Sequence, residues 1–281
     1  MLTYTRGTLR GAVWLTTTAL PVIAAGAVAF VTTSEALAEF EIQESTVEKG
    51  RVELEYRGAL HWGLPEPEFD PLRQSHEFEI QYGLTDRWAF SLIPDFEQSL
   101  GDSLQLTAVE GEGQYEILKL RDNGLGLAFR GRYSQPIVGG EAEQISFGPI
   151  LEWVKGPISL ILDPLFTDQV GPNRTTDGLG FNYGWQLKYS LPRNWNLALE
   201  MFGNIEDLAN SGSFNDQNHS IGPVLYYTFG KGNETEEGKR NRENEAADES
   251  ESSLTVGLGL QFGLTEATSK TALKLNAQLE F

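Results

Sequence analysis

The 281-residue chain contains no cysteine. A disulfide framework and a thiolate-ligated zinc or iron–sulfur site are therefore excluded. Histidine is scarce, with only His61, His76 and His219. Positive charge is in short supply as well: 21 Lys and Arg stand against 40 Asp and Glu, a formal net charge of −19. Phosphate backbones are bound by clustered Lys and Arg, so this balance argues against nucleic acid as a partner. Beyond Ala38 no uncharged apolar run approaches the roughly 20 residues that a spanning helix needs. If that part of the chain crosses a membrane, it crosses as strands.

The first residues have a different character. Arg6 and Arg10 precede an uncharged stretch from Gly11 to Ser34, followed by Ala36-Leu37-Ala38. This order of positive, apolar and small residues reads as a secretory signal peptide, residues 1–38, cleaved after Ala38. An uncleaved membrane anchor is the alternative. The mature chain is expected to run from 39 to 281.

From there to the end the dominant signal is period-two alternation. In HEFEIQY, Phe78, Ile80 and Tyr82 alternate with Glu77, Glu79 and Gln81. In RVELEYRGALHW, Val52, Leu54, Tyr56, Leu60 and Trp62 alternate with Arg51, Glu53, Glu55, Arg57 and His61. Such alternation places two chemistries on the two faces of a strand. About twelve strands are expected, over 50–62, 74–83, 87–96, 112–120, 124–135, 144–154, 157–167, 179–190, 195–204, 218–229, 253–263 and 270–281. Most are longer than the usual five to six residues of soluble sheets. Tight links (84–86, 121–123, 155–156, 191–194) alternate with longer ones, and aromatics gather at strand ends. Those features fit an all-β, antiparallel, up-and-down transmembrane barrel with short periplasmic turns and longer extracellular loops. A two-sheet sandwich fits them less well. In the barrel the apolar face meets lipid and the carboxylates face the interior.

One link departs from the pattern. Residues 231–252 hold eight acidic and four basic residues and no large apolar side chain. Such a stretch cannot bury enough surface to order itself, and it reads as a disordered periplasmic loop. If one strand is miscounted, the loop is extracellular instead.

Two features carry a resemblance. The last strand, with alternating Leu273, Leu275, Ala277 and Leu279 and a terminal Phe281, resembles the assembly signal of Gram-negative outer-membrane proteins. The hairpin His76 to Trp88, with its glutamate-alternating strand and Tyr82-Gly83-Leu84-Thr85-Asp86-Arg87 turn, resembles the MetA-pathway of phenol degradation family. The resemblance covers roughly residues 45–100. It implies an outer-membrane barrel that acts as a channel for organic compounds.

The residues expected to line the lumen are Glu53, Glu55, Arg57, Glu77, Glu79, Arg130, Arg132, Glu152 and Lys188. Opposed acidic and basic walls would order a small polar solute in transit. The same charges would instead close the interior if they paired across it, because unpaired buried charges are costly. The leading function is passive transport of small organic molecules. The alternative is a non-conducting barrel with a structural or surface-interaction role, its contact surface being loops 63–73, 97–111 and 205–217. Closure of the lumen by Glu–Arg pairs or by segment 39–49 would favour that alternative. No nucleophile–base pair stands out, since Ser75 and Ser220 each adjoin a histidine that points the opposite way. No catalytic or metal site and no cofactor are expected, and the acidic loops lack the spacing of a dedicated calcium loop. The expected partners are outer-membrane lipid, the barrel assembly machinery and an unidentified small solute, and the expected location is the cell outer membrane.

Overall fold

The strands carry an apolar and a polar face, and the chain satisfies both by rolling a single sheet into a closed cylinder. The computed structural model describes residues 40–65, 72–230 and 252–281, which all fall in the unit Thr32–Phe281. The signal-peptide reading and all but the last residue of the charged loop lie outside the described residues. Twelve strands follow one another: β1 (Val52–Trp62), β2 (Leu72–Gly83), β3 (Trp88–Ser99), β4 (Gln105–Leu118), β5 (Leu125–Pro136), β6 (Glu143–Lys155), β7 (Ile158–Val170), β8 (Gly180–Ser190), β9 (Trp195–Ile205), β10 (Asn218–Phe229), β11 (Ser253–Gly263) and β12 (Thr271–Glu280). Each pairs antiparallel with its neighbours in sequence, and β1 pairs with β12 to close the barrel. Closure leaves no unpaired edge, which is what allows strands to cross a bilayer.

The outer face is a belt of large apolar side chains that would have no other reason to be exposed, among them Leu54, Ile80, Phe90, Leu92, Phe129, Leu197 and Leu258. Rings border the belt. Tyr82, Trp88, Trp153, Tyr189, Trp195 and Phe229 stand at the strand ends nearer the C-terminus of the chain, with Trp62 and Tyr133 at the opposite ends. Aromatic girdles above and below an apolar band are the mark of a membrane-spanning barrel. Among the described residues no helix is long and apolar enough to cross a membrane.

Strand order also settles which links share a side. The turns 84–87, 119–124, 156–157 and 191–194 lie at the end of the barrel where Val52 meets Phe281. The link from β10 to β11 joins strand ends on that same side. Two short 3-10 turns, Leu208–Asn210 and Phe214–Asp216, shape the long loop on the opposite side.

The expected strand at 112–120 needs correction, and with it the loop expected at 97–111. β3 continues to Ser99 and β4 begins at Gln105. The outward positions of β4 include Gly111 and Gly113, so the apolar half of the alternation is missing there. A register shift opposite Asp95 and Phe96 breaks the period as well. The glycines Gly257 and Gly259 on β11 serve packing: a Cβ on Gly257 would lie 2.5 Å from the Tyr226 ring.

Candidate functional site: a barrel interior filled by the N-terminal segment

Residues 40–50 precede β1 and run inside the barrel. Their course starts at the rim, where Gly50 N donates to Gly83 O at 2.7 Å. It ends in the other half of the barrel, where Phe40 packs on Ala59, Phe202 and Ala272. Phe40 also stacks on His61 at 6.0 Å and meets the Phe202 ring at 5.1 Å. Phe40 holds a φ of 61°, which a bulky residue keeps only when its surroundings impose it. Along this strap Glu41, Gln43, Ser45 and Val47 are buried, while Glu44, Thr46 and Glu48 are exposed.

Polar contacts tie the strap to the walls. Three arginines from two strands, Arg57 of β1 and Arg130 and Arg132 of β5, converge on Glu41 Oε1: Arg132 Nη2 at 2.6 Å, Arg130 Nη1 at 2.7 Å and Arg57 Nη2 at 3.9 Å. Gln43 N donates to Asp163 Oδ2 at 3.2 Å. Gln114 Nε2 donates to Glu44 O at 3.0 Å. Ser45 donates through both its amide and its hydroxyl to Glu152 Oε2, at 3.1 and 3.0 Å. Charge-assisted bonds of this kind are the stronger class.

The walls are shaped for the strap. Gly184 faces inward on β8, and a Cβ there would lie 2.8 Å from Glu41 O and 2.9 Å from Ile42 Cδ1. At Gly83 a Cβ would fall 1.8 Å from Glu48 O. Neither position accepts a side chain while the strap is in place.

All nine residues expected in the lumen face the interior. Arg57 pairs with Glu55 at 2.5 Å and with Glu77 and Glu79 at 2.8 Å. Arg130 pairs with Glu112 at 3.2 Å and Asp163 at 2.9 Å. Arg132 pairs with Glu110 at 2.9 Å and Glu112 at 2.8 Å. Glu152 receives Ser45, Glu53 accepts from Gln278 at 2.7 Å, and Lys188 stands 3.6 Å from Glu44. Glu77, Glu79, Arg57, Arg130 and Arg132 are each no more than 5% exposed. In a wide water-filled lumen these side chains would count as exposed, so the interior is filled at this level.

Sequence reasoning missed several interior groups. Glu110 lies outside the strand expected at 112–120, and Glu112 opens that strand between Gly111 and Gly113, where no apolar neighbour marks the alternation. Glu200 and Lys274 form a second buried cluster: Lys274 Nζ donates to Glu200 at 2.6 Å, and Tyr226 and Gln186 donate to the same carboxylate at 2.5 and 2.7 Å. The period-two pattern could have found them, since each alternates with outward apolar residues.

The histidines are placed by packing. His61 faces inward, with Nδ1 2.7 Å from Ser269 Oγ. His76 lies on the outer face against Tyr56 Oη at 2.8 Å. His219 is also on the outer face, covered by the Phe214 ring at 4.5 Å and bonded to Tyr183 Oη at 2.9 Å. Among the described residues no group of His, Cys, Asp and Glu has the geometry of a metal site.

A closed antiparallel barrel with an apolar belt, two aromatic girdles and a charged interior is an outer-membrane type of barrel. Solved structures share that fold. An outer membrane channel from Pseudomonas putida F1 is 12% identical, covers 87% of this chain and 98% of its own, and superposes with a TM-score of 0.50. The NanC porin (11% identical, 81% and 98% covered, TM-score 0.47) and the KdgM porin (8%, 82% and 98%, 0.47) are also similar. No protein-family model and no curated protein matches the chain.

Proposed function

We propose that the protein is an outer-membrane channel for small organic solutes whose path is closed by its own strap. The observation that carries this reading is the nature of the closing element. It is a tethered segment held largely by polar contacts, seated on glycine-bared walls, rather than a set of bulky side chains grown from the strands. A segment of this kind can leave without unfolding the sheet, because beyond the rim bond from Gly50 N to Gly83 O its hydrogen bonds to the walls run to side chains or from them and not to the barrel's own ladder. The shared fold with a solved outer membrane channel and the MetA-pathway-like hairpin support the same reading. Lipid meets the apolar belt, and the barrel assembly machinery would read the strand ending in Phe281.

The test is solute entry into liposomes that carry the refolded protein. Gly184→Val removes the strap's seat and changes no charge. Its liposomes should swell in small uncharged and zwitterionic solutes and lose the response as solute size grows. Wild-type liposomes should respond far less. The filled interior also supports a second reading, a non-conducting barrel with a structural role. Equal, negligible swelling from wild type and a demonstrably folded Gly184→Val protein would favour it.

A further inference from the structure

We infer that the path opened by departure of the strap selects for cations, so that its solutes are small cations or ammonium-bearing molecules. This inference rests on the channel reading above. Two features of the walls point in opposite directions, and the charges decide between them.

The first feature favours anions. Arg57, Arg130 and Arg132 aim one donor each at Glu41 Oε1, and the departure of Glu41 would leave a spot that suits a carboxylate. The second feature favours cations and is larger. None of the three guanidiniums is freed when the strap leaves, because each keeps at least two wall carboxylates within 3.2 Å. Glu55, Glu77, Glu79, Glu110, Glu112 and Asp163 already outnumber the arginines two to one. Asp95 adds a further carboxylate beside them, opposite Glu77 in the β2–β3 register.

Buried wall oxygens without a hydrogen-bond partner point the same way, four of them among these carboxylates against two guanidinium nitrogens, Arg57 Nη2 and Arg130 Nε, in the same state. Asp95 is 4% exposed and its Oδ1 has no hydrogen-bond partner. Glu79 Oε1, Glu112 Oε1 and Asp163 Oδ1 are buried and unpartnered too. Carboxylate oxygens are acceptors only, so what they lack is a donor or a cation. A narrow lumen with low-dielectric walls focuses such a field on whatever passes. Glu41 overcomes that field because its attachment to β1 makes its binding intramolecular, with a high effective concentration. A free carboxylate has no such help.

The experiment is the reversal potential in planar bilayers under a tenfold KCl gradient, using Gly184→Val and, separately, a chain lacking residues 40–49. Folding is verified by heat-modified gel migration. Both variants should show discrete openings with a reversal potential on the cation side and a cation-to-anion permeability ratio of about five or more. Adding Asp95→Asn and Glu77→Gln to Gly184→Val should lower that ratio at least twofold. Open channels that are unselective or prefer chloride would overturn the inference and leave the channel reading standing. Silence from both folded variants would overturn the channel reading and this inference with it.

Discussion

Glu41→Ala tests the strap's latch. The change removes the carboxylate on which Arg130 and Arg132 converge at 2.7 and 2.6 Å. Hydrogen bonds to charged groups contribute about 1.5–3 kcal/mol each, so the strap loses about 3–6 kcal/mol of hold. Arg130 keeps Glu112 and Asp163, and Arg132 keeps Glu110 and Glu112, so no buried charge is orphaned in the barrel. The cost therefore falls on the closed position of the strap and not on the sheet. At 1.4 kcal/mol per tenfold, the population with the strap displaced rises by about a hundred- to ten-thousand-fold. Repulsion between Glu41 and the wall carboxylates makes the lower end the better figure. The assay is open probability in single-channel recordings of the full chain. Glu41→Ala should open often where wild type is almost always shut, and Glu41→Gln, which keeps an acceptor, should fall between them. If Glu41→Ala stayed as closed as wild type while Gly184→Val opened, the arginine latch would not be what holds the strap.

Other parts of the molecule give their own tests. Lys274→Met leaves Glu200, which is 0% exposed, without its ammonium partner and should cost about 3–5 kcal/mol in urea unfolding from lipid vesicles; adding Glu200→Gln should recover most of that loss. Leu258→Arg, in the middle of β11 on the lipid face, should cost about 2–4 kcal/mol in vesicles, and a change near zero would mean that this face does not meet lipid. In the β9–β10 loop, the Ser213 hydroxyl and amide donate to Asp216 at 2.7 and 2.8 Å and hold its carboxyl below the ordinary value. A lowered folded-state pKa means that this contact persists as pH falls through the usual carboxylate range and is lost only below it; an Asp216 carboxyl that titrates in NMR at the ordinary aspartate value would contradict this.

Why some of this was legible in the sequence and some was not has a physical basis. Alternation is a property of a single strand, so Phe78-Glu79-Ile80-Gln81 announces its two faces without help from its neighbours. The same rule placed Arg130, Arg132 and Glu152 inside. It failed where glycine stands in for the apolar half, as at Gly111 and Gly113, and where a bulge shifts the period near Asp95. The strap was visible only as a possibility. FEIQESTVEK has no apolar repeat of its own, and its buried residues are chosen by partners far along the chain, such as Asp163, 120 positions away, for Gln43 and the still more distant Phe202 and Ala272 for Phe40. Long-range complementarity of that kind is written in two places at once, in Glu41 and in the inward glycine at 184. Neither is informative alone. The filled interior likewise depends on which charges find each other across the barrel, and strand parity says only which way they point.

The measurement that bears most directly on the strap as a gate is single-channel conductance of the folded chain with and without residues 40–49, in the same bilayer and salt. Silence from the full chain and stable discrete steps from the shortened one would be the predicted result. Equal conductance from both, or silence from both, would contradict it.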